Sequence, residues 1–182
     1  MQLVLADDLA LVREKYIEVI EHTKDMNIHA RWIYGQHPTD TMIQSYIDRQ
    51  EMYLYMDGKN IAGMTAVTMY QGVDYHEIPW SQNLNDDEVA SLHLLTVTPE
   101  YQGKGVSKKM MEAIISLAME NGKKAIRLDT LASNIPAQHM YEKLGFAYRG
   151  KQNLYAENTG WTDFLYYELL LNHETGEVCH DG

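Results

Sequence analysis

The chain of 182 residues carries 15 Lys and Arg against 26 Asp and Glu, a formal charge of −11, with 45% hydrophobic and 23% charged residues. That length forms one domain, 1–182, whose core needs no staples, and the composition excludes collagen-like, low-complexity and disulfide-framework classes. The acidic balance opposes a broad phosphate-backbone footprint, so nucleic acid is not expected as a partner.

At the N-terminus Asp7 and Asp8 stand where a basic region would precede an apolar one, so no signal peptide is expected. Leu3 to Leu5 reads as a strand, and Asp7 or Asp8 caps a helix whose apolar positions Leu11, Val12, Ile17, Val19 and Ile20 suit a buried face. Residues 25 to 38 lack a period and read as a loop ended by Pro38, after which Thr39 or Asp40 caps a second helix through Gln50. Met52 to Met56 and Ile61 to Tyr70 flank the turn residues Asp57-Gly58-Lys59-Asn60 as a hairpin. Gln71 to Glu88 is a long polar loop, of the kind that often carries function.

From Val89 the pattern sharpens. Val89 to Val97 is a strand, and Val106, Met110, Ile114, Leu117 and Ala118 form an apolar stripe that predicts a helix over about 104–121, stopped by Gly122. Ala125 to Leu131 follows as a strand, so 89–131 forms a strand, crossover helix and parallel strand. Ala137, Met140, Tyr141 and Leu144 mark another helix, and Phe146 to Gly150 and Thr162 to Leu171 are the closing strands. No apolar run is long enough to span a membrane, since even Phe164 to Leu171 contains Glu168. Cys179 is the one cysteine, which fits a reducing, cytoplasmic location better than secretion.

The segment Gln102-Gly103-Lys104-Gly105-Val106-Ser107 lies between a strand and a helix. Two glycines let the backbone turn its N–H groups toward one point, and the helix N-terminus adds partial positive charge, so the loop suits a phosphate or pyrophosphate. Residues 101–127 hold six basic side chains against two acidic ones, a cationic window in an acidic chain. Lys123 and Lys124 in that window read best as solvent-facing decoration. A P-loop is excluded because Gly103-Lys104 is followed by Gly105, and the dinucleotide fingerprint because Lys108 stands where its third glycine belongs. His22, His29, His37 and His76 lack the close paired spacing of a zinc site, so no metal is expected.

With Leu95, Val97, Pro99 and Tyr101 ahead of it, this loop resembles the acyl-CoA loop of the GNAT superfamily of N-acyltransferases. Asn134, Ala137 and Tyr141-Glu142-Lys143-Leu144-Gly145-Phe146 follow at the family's distance downstream. The resemblance covers roughly residues 89 to 150, and Ser107 departs from it by standing where Gly or Ala is usual. It implies an α/β GNAT fold: a mixed, mainly antiparallel central sheet with a splayed parallel strand pair and helices on both faces. It also implies acetyl-CoA as co-substrate, with backbone N–H groups of Gln102, Gly103, Lys104, Gly105, Val106 and Ser107 on the pyrophosphate. Backbone groups of Leu95 and Val97 would then pair with the pantetheine arm. Asn134 would bind that arm or cap its own helix.

The implied reaction is direct acetyl transfer to a primary amine in a ternary complex. Tyr141 is the expected acid for the departing thiolate, because a phenol donates to a developing thiolate in a dry site. The amine must lose a proton before attack, and His93 is the expected base, on the same strand face as Leu95 and Val97 if alternation is regular. Glu88 or Asp87, acting through water, is the next candidate. Asp86, Asp87 and Glu88 with Tyr75, Trp80 and Trp161 are candidates to line an acceptor pocket, the alternative being a solvated acidic loop with packed aromatics. The expected partner is a small-molecule or peptide amine, with neither nucleic acid nor membrane, and with a homodimer left open. The competing reading is a non-catalytic acyl-CoA-binding sensor or interaction domain.

Overall fold

The computed structural model describes residues 1–172 and the backbone of 178–179. Its elements in chain order are β1 (Gln2–Leu5), α1 (Leu9–His22), α2 (Asp40–Asp48), β2 (Met52–Asp57), β3 (Asn60–Thr68) and β4 (Val89–Val97). There follow α3 (Val106–Glu120), β5 (Ala125–Leu131), α4 (Ile135–Lys143), β6 (Ala147–Ala156), β7 (Gly160–Leu171) and β8 (Val178–Cys179). The strands lie side by side in the order β1-β2-β3-β4-β5-β7-β6, with β8 against β7. The pair β4–β5 is parallel and its neighbours on either side are antiparallel.

Local chemistry sets the boundaries. Asp8 caps α1 by accepting hydrogen bonds from the N–H groups of Ala10 and Leu11 at 2.8 and 3.1 Å, and Thr39 caps α2 through the N–H of Met42 at 3.1 Å. That second helix ends at Asp48 and not at Gln50, because Gln50 takes φ 57° and turns the chain into β2. The stripe on α3 buries Val106, Met110, Met111, Ile114, Ile115 and Ala118. Each large side chain there contributes about 1.5–3 kcal/mol by leaving water.

Helices cover both faces. The face of α3 and α4 holds a core including Leu92, Ile126, Leu128, Tyr141 and Leu169; the face of α1 and α2 holds Val12, Tyr16, Ile43, Met64 and Leu94. The closing strands are longer than expected: β6 and β7 form a hairpin from Ala147 to Leu171, bulged between Tyr148 and Gly150. Polar residues such as Gln152 and Asn153 hide the outer half of that hairpin from an apolar pattern. Among the described residues no helix is long and apolar enough to cross a membrane.

The long loop 71–88 is ordered around a buried ion pair. Arg127 and Glu168, each 1% exposed, meet at 2.8 Å from Nε to Oε2. The same guanidinium donates to Gln71 Oε1 and to the Gln82 carbonyl, both at 2.8 Å, and stacks 4.4 Å from the Trp80 ring centre. Glu168 also accepts from Arg149 at 3.1 Å and from the Ser81 N–H at 3.1 Å.

Candidate active site

The sheet opens between its parallel strands. β4 and β5 are paired from Val89 opposite Ala125 to Leu92 opposite Leu128, yet β4 continues to Val97 and β5 to Leu131. Beyond Leu92 the two strands diverge, leaving that side of β4 without a strand partner.

A bulge sits at the start of the opening. Met64 faces Thr96 while Ala66 faces His93, so β4 spends three residues where β3 spends two, and Leu94 takes φ 55°. Tyr16 Oη donates to the Leu94 carbonyl at 2.8 Å, and Thr65 Oγ1 donates to the His93 carbonyl at 3.0 Å. The extra residue overturns the alternation expected for this strand. His93 stacks on Tyr46 of α2 with ring centres 5.9 Å apart, whereas Leu95 and Val97 pack against the core under α3. His93 therefore faces the opposite side of the sheet from Leu95 and Val97.

The glycine loop matches an anionic group. Gly103 and Gly105 both take φ 72°, and a Cβ at either would meet nothing within 4 Å, so open space lies beside the turn. Gly105 caps α3 without a side-chain hydrogen bond, which leaves the first-turn amides without a side-chain acceptor. Gln102 Nε2 donates to Thr23 Oγ1 at 2.8 Å and to the Val97 carbonyl at 3.1 Å, fixing the loop to α1 and to the end of β4. Lys104 Nζ lies 5.8 Å from the Tyr101 ring centre. Asn134 accepts from the Ala137 N–H at 3.4 Å, the capping geometry, and also faces the cavity.

A cavity of 410 Å³ runs through the opening, with Val97, Ser107 and Tyr141 toward the loop and His93, Asp129 and His37 farther in. Tyr141 is buried against Phe146 and Tyr167 at ring-centre distances of 5.7 and 6.1 Å. Burial, reinforced by Asp129, raises its phenol above the ordinary tyrosine value, so it holds its proton at neutral pH. Burial lowers the His93 imidazole, opposed by the charge of Asp129, which keeps the ring a proton acceptor. His37 is lowered for the same reason.

Asp129 was not among the residues singled out from the sequence. It accepts a hydrogen bond from Tyr75 Oη at 2.6 Å, and burial raises its carboxyl, with the Tyr75 bond and His93 opposing. The available signal was Arg127 and Asp129 two apart as the charged residues of the strand Ala125–Leu131, on one face by alternation.

Other expected residues lie elsewhere. Glu88 precedes β4 at its far end, five residues and about 16 Å along the strand from His93. It pairs with Lys124 and accepts from the Asn85 N–H at 2.8 Å. Lys124 pulls its carboxyl below the usual range. Lys123 donates to the Asp87 carbonyl at 2.7 Å, so both lysines brace that turn. Asp86 accepts from Gln71 at 2.9 Å and lies 2.8 Å from His76 Nε2. Tyr75 and Trp80 pack with Tyr166 beneath the 71–88 loop, and Trp161 is 72% exposed. None of these lines the cavity. Among the described residues no group of three or more His, Cys, Asp or Glu side chains is gathered around a metal position.

The profile of the acetyltransferase (GNAT) family matches residues 17–146. N-acetylaspartate synthetase of Danio rerio is 33% identical over 75 residues, 41% of this chain and 27% of that relative's length. The structure of yncA from Salmonella typhimurium with its cofactor acetyl-CoA superposes with a TM-score of 0.67 at 18% identity, covering 94% of both chains. A GNAT-family acetyltransferase from Streptococcus agalactiae gives 0.71 at 19% identity, over 94% of this chain and 95% of that one. The structural likeness shows the shared fold, and with the profile matching residues 17–146, most of its length, the chain belongs to the acetyltransferase (GNAT) family.

Proposed function

We propose that residues 1–182 act as one cytoplasmic N-acetyltransferase domain that moves an acetyl group from acetyl-CoA to a primary amine. The observation that carries the reading is the continuous cavity from Ser107 and Val97, past Tyr141, to His93. Acetyl-CoA, when bound, supplies an acetyl thioester. The amides of Gln102 to Ser107 hold its pyrophosphate at the start of α3, where helix polarity favours negative charge. Backbone groups of Leu95 and Val97 take its pantetheine arm along the side of β4 that β5 vacates.

On the inner side His93 accepts the proton that the amine must lose to attack, and its lowered affinity for protons keeps it in the accepting form at neutral pH. The amine nitrogen bonds to the acetyl carbon, the carbon–sulfur bond breaks, Tyr141 gives its proton to the departing thiolate, and the nitrogen's surplus proton passes to the tyrosinate as the amide forms. Exclusion of water from the wall around Tyr141 strengthens that donation.

The test is calorimetric titration with acetyl-CoA followed by a free-thiol assay across a panel of primary amines. Saturable binding with amine-dependent thiol release supports the reading. Absence of acetyl-CoA binding by a folded protein overturns it.

A further inference from the structure

The inner half of the cavity is uneven in charge. Its wall carries one carboxylate, Asp129, and the imidazoles of His37 and His93, among Trp32, Met42, Tyr46, Leu131 and Phe164. Among the described residues no Lys or Arg side chain lines it. Arg31, next in sequence to the wall residues Ala30 and Trp32, directs its guanidinium to the Thr159 carbonyl at 3.3 Å.

From this wall, and resting on the acetyltransferase reading above, we propose that the acceptor is a small primary amine with an apolar or aromatic body and no carboxylate. Its ammonium docks beside Asp129 and its body lies on Trp32, Tyr46 and Phe164. An ammonium entering here replaces the water that Asp129 has lost and favours its ionised form. A free amino acid brings a carboxylate within a few ångströms of its nitrogen, where Asp129 repels it and no cation receives it. Such a clash in a poorly solvated wall discriminates more strongly than the loss of a favourable contact.

The size limit comes from the roof. Asn158 Nδ2 donates to the Arg31 carbonyl at 2.8 Å, and Arg31 returns the bond to Thr159. Ser133 Oγ donates to the His29 carbonyl at 2.9 Å, and His29 Nδ1 lies 3.2 Å from the Ser133 carbonyl. The 25–38 loop is thereby stitched to the β6–β7 turn on one side and to the β5–α4 corner on the other. A peptide continuing past its first residue would have to part those bonds.

The experiment compares matched acceptors at saturating acetyl-CoA: 2-phenylethylamine with phenylalanine, 3-methylbutylamine with leucine, and a tripeptide beginning with Phe. We expect kcat/KM for each carboxylate-free amine to exceed that of its amino acid by at least about tenfold, the size of a close like-charge penalty. Asp129→Asn should raise KM for the amines and narrow that ratio, with melting curves establishing that the variant is folded. Amino acids consumed as well as their amines, a tripeptide consumed as well as 2-phenylethylamine, or an unchanged ratio in Asp129→Asn would overturn the proposal. Acetyl-CoA binding with none of these amines consumed overturns it and leaves the donor half of the reading intact, whereas failure to bind acetyl-CoA removes the acetyltransferase reading itself.

Discussion

Tyr75 Oη donates to Asp129 Oδ1 at 2.6 Å, joining a loop that covers the outside of the sheet to a carboxyl on the cavity wall. Tyr75 is itself held edge-on to Tyr166 and stacked on Trp80, with ring centres 5.4 and 5.8 Å away. Tyr75→Phe keeps those rings and removes the donor. Because this bond favours the ionised carboxyl, its loss should push the Asp129 carboxyl higher still and cost about 1–3 kcal/mol of stability. Thermal melts should show a drop of a few degrees, and an unchanged midpoint would mean that the bond contributes nothing.

His93 and His37 both bind protons less readily in the fold than in the unfolded chain. Between their lowered folded values and the unfolded value of about 6.5, the unfolded chain takes up protons that the native state refuses. Acid in that window therefore favours unfolding, and the loss levels off once the folded imidazoles also protonate. Urea midpoints should fall from pH 7 to pH 5, and His93→Gln should flatten the fall. Parallel curves for parent and variant would count against a suppressed imidazole at His93.

Tyr141→Phe retains the ring against Phe146 and Tyr167 and removes the proposed acid. Turnover should fall ~100-fold while acetyl-CoA affinity stays within a factor of about two. Equal turnover in the two proteins would return Tyr141 to a packing role.

Gly105→Glu places a carboxylate in the space beside the loop and forces a side chain into the left-handed region, at a cost of about 1–2 kcal/mol. Calorimetry should show acetyl-CoA affinity reduced by at least about tenfold through charge repulsion. A folded variant with parental affinity would place the pyrophosphate elsewhere.

Arg127→Met should be among the most damaging single changes. It strips a buried carboxylate of its closer cationic partner and frees Gln71 and the Gln82 carbonyl, for a loss of about 3–5 kcal/mol. Chemical denaturation measures this directly, and adding Glu168→Leu should recover part of it. A loss below about 1 kcal/mol would mean that Arg149 alone neutralises Glu168.

The local signals that the sequence displays are those that survive without tertiary contacts. Asp8 and Thr39 announce their helices because a cap depends on two or three adjacent residues. The run from Leu95 to Gly105 announces the loop because its glycines are needed by the backbone itself. His93 was legible as a strand residue but not as a face, since the bulge at Leu94 is imposed by Thr65, Tyr16 and the register with β3. Asp129 escaped notice because its meaning depends on Tyr75 and His93, 54 and 36 positions away in the chain. The acidic string Asp86-Asp87-Glu88 drew attention by composition, yet Asp86 is bonded to Gln71 and His76 and Glu88 pairs with Lys124, all away from the cavity.

The one-residue excess at Leu94 gives β4 two reading frames. Upstream of it, His93 looks toward α2; downstream, Leu95 and Val97 look toward α3. Deleting a residue there would restore an even ladder with β3 and carry His93 across to the other side of the sheet, so a better-paired strand would be a disconnected one. The irregularity also lets each side change on its own. Substitutions upstream re-dress the inner half of the cavity, those downstream re-dress the groove beside the glycine loop, and neither set disturbs the alignment of the other.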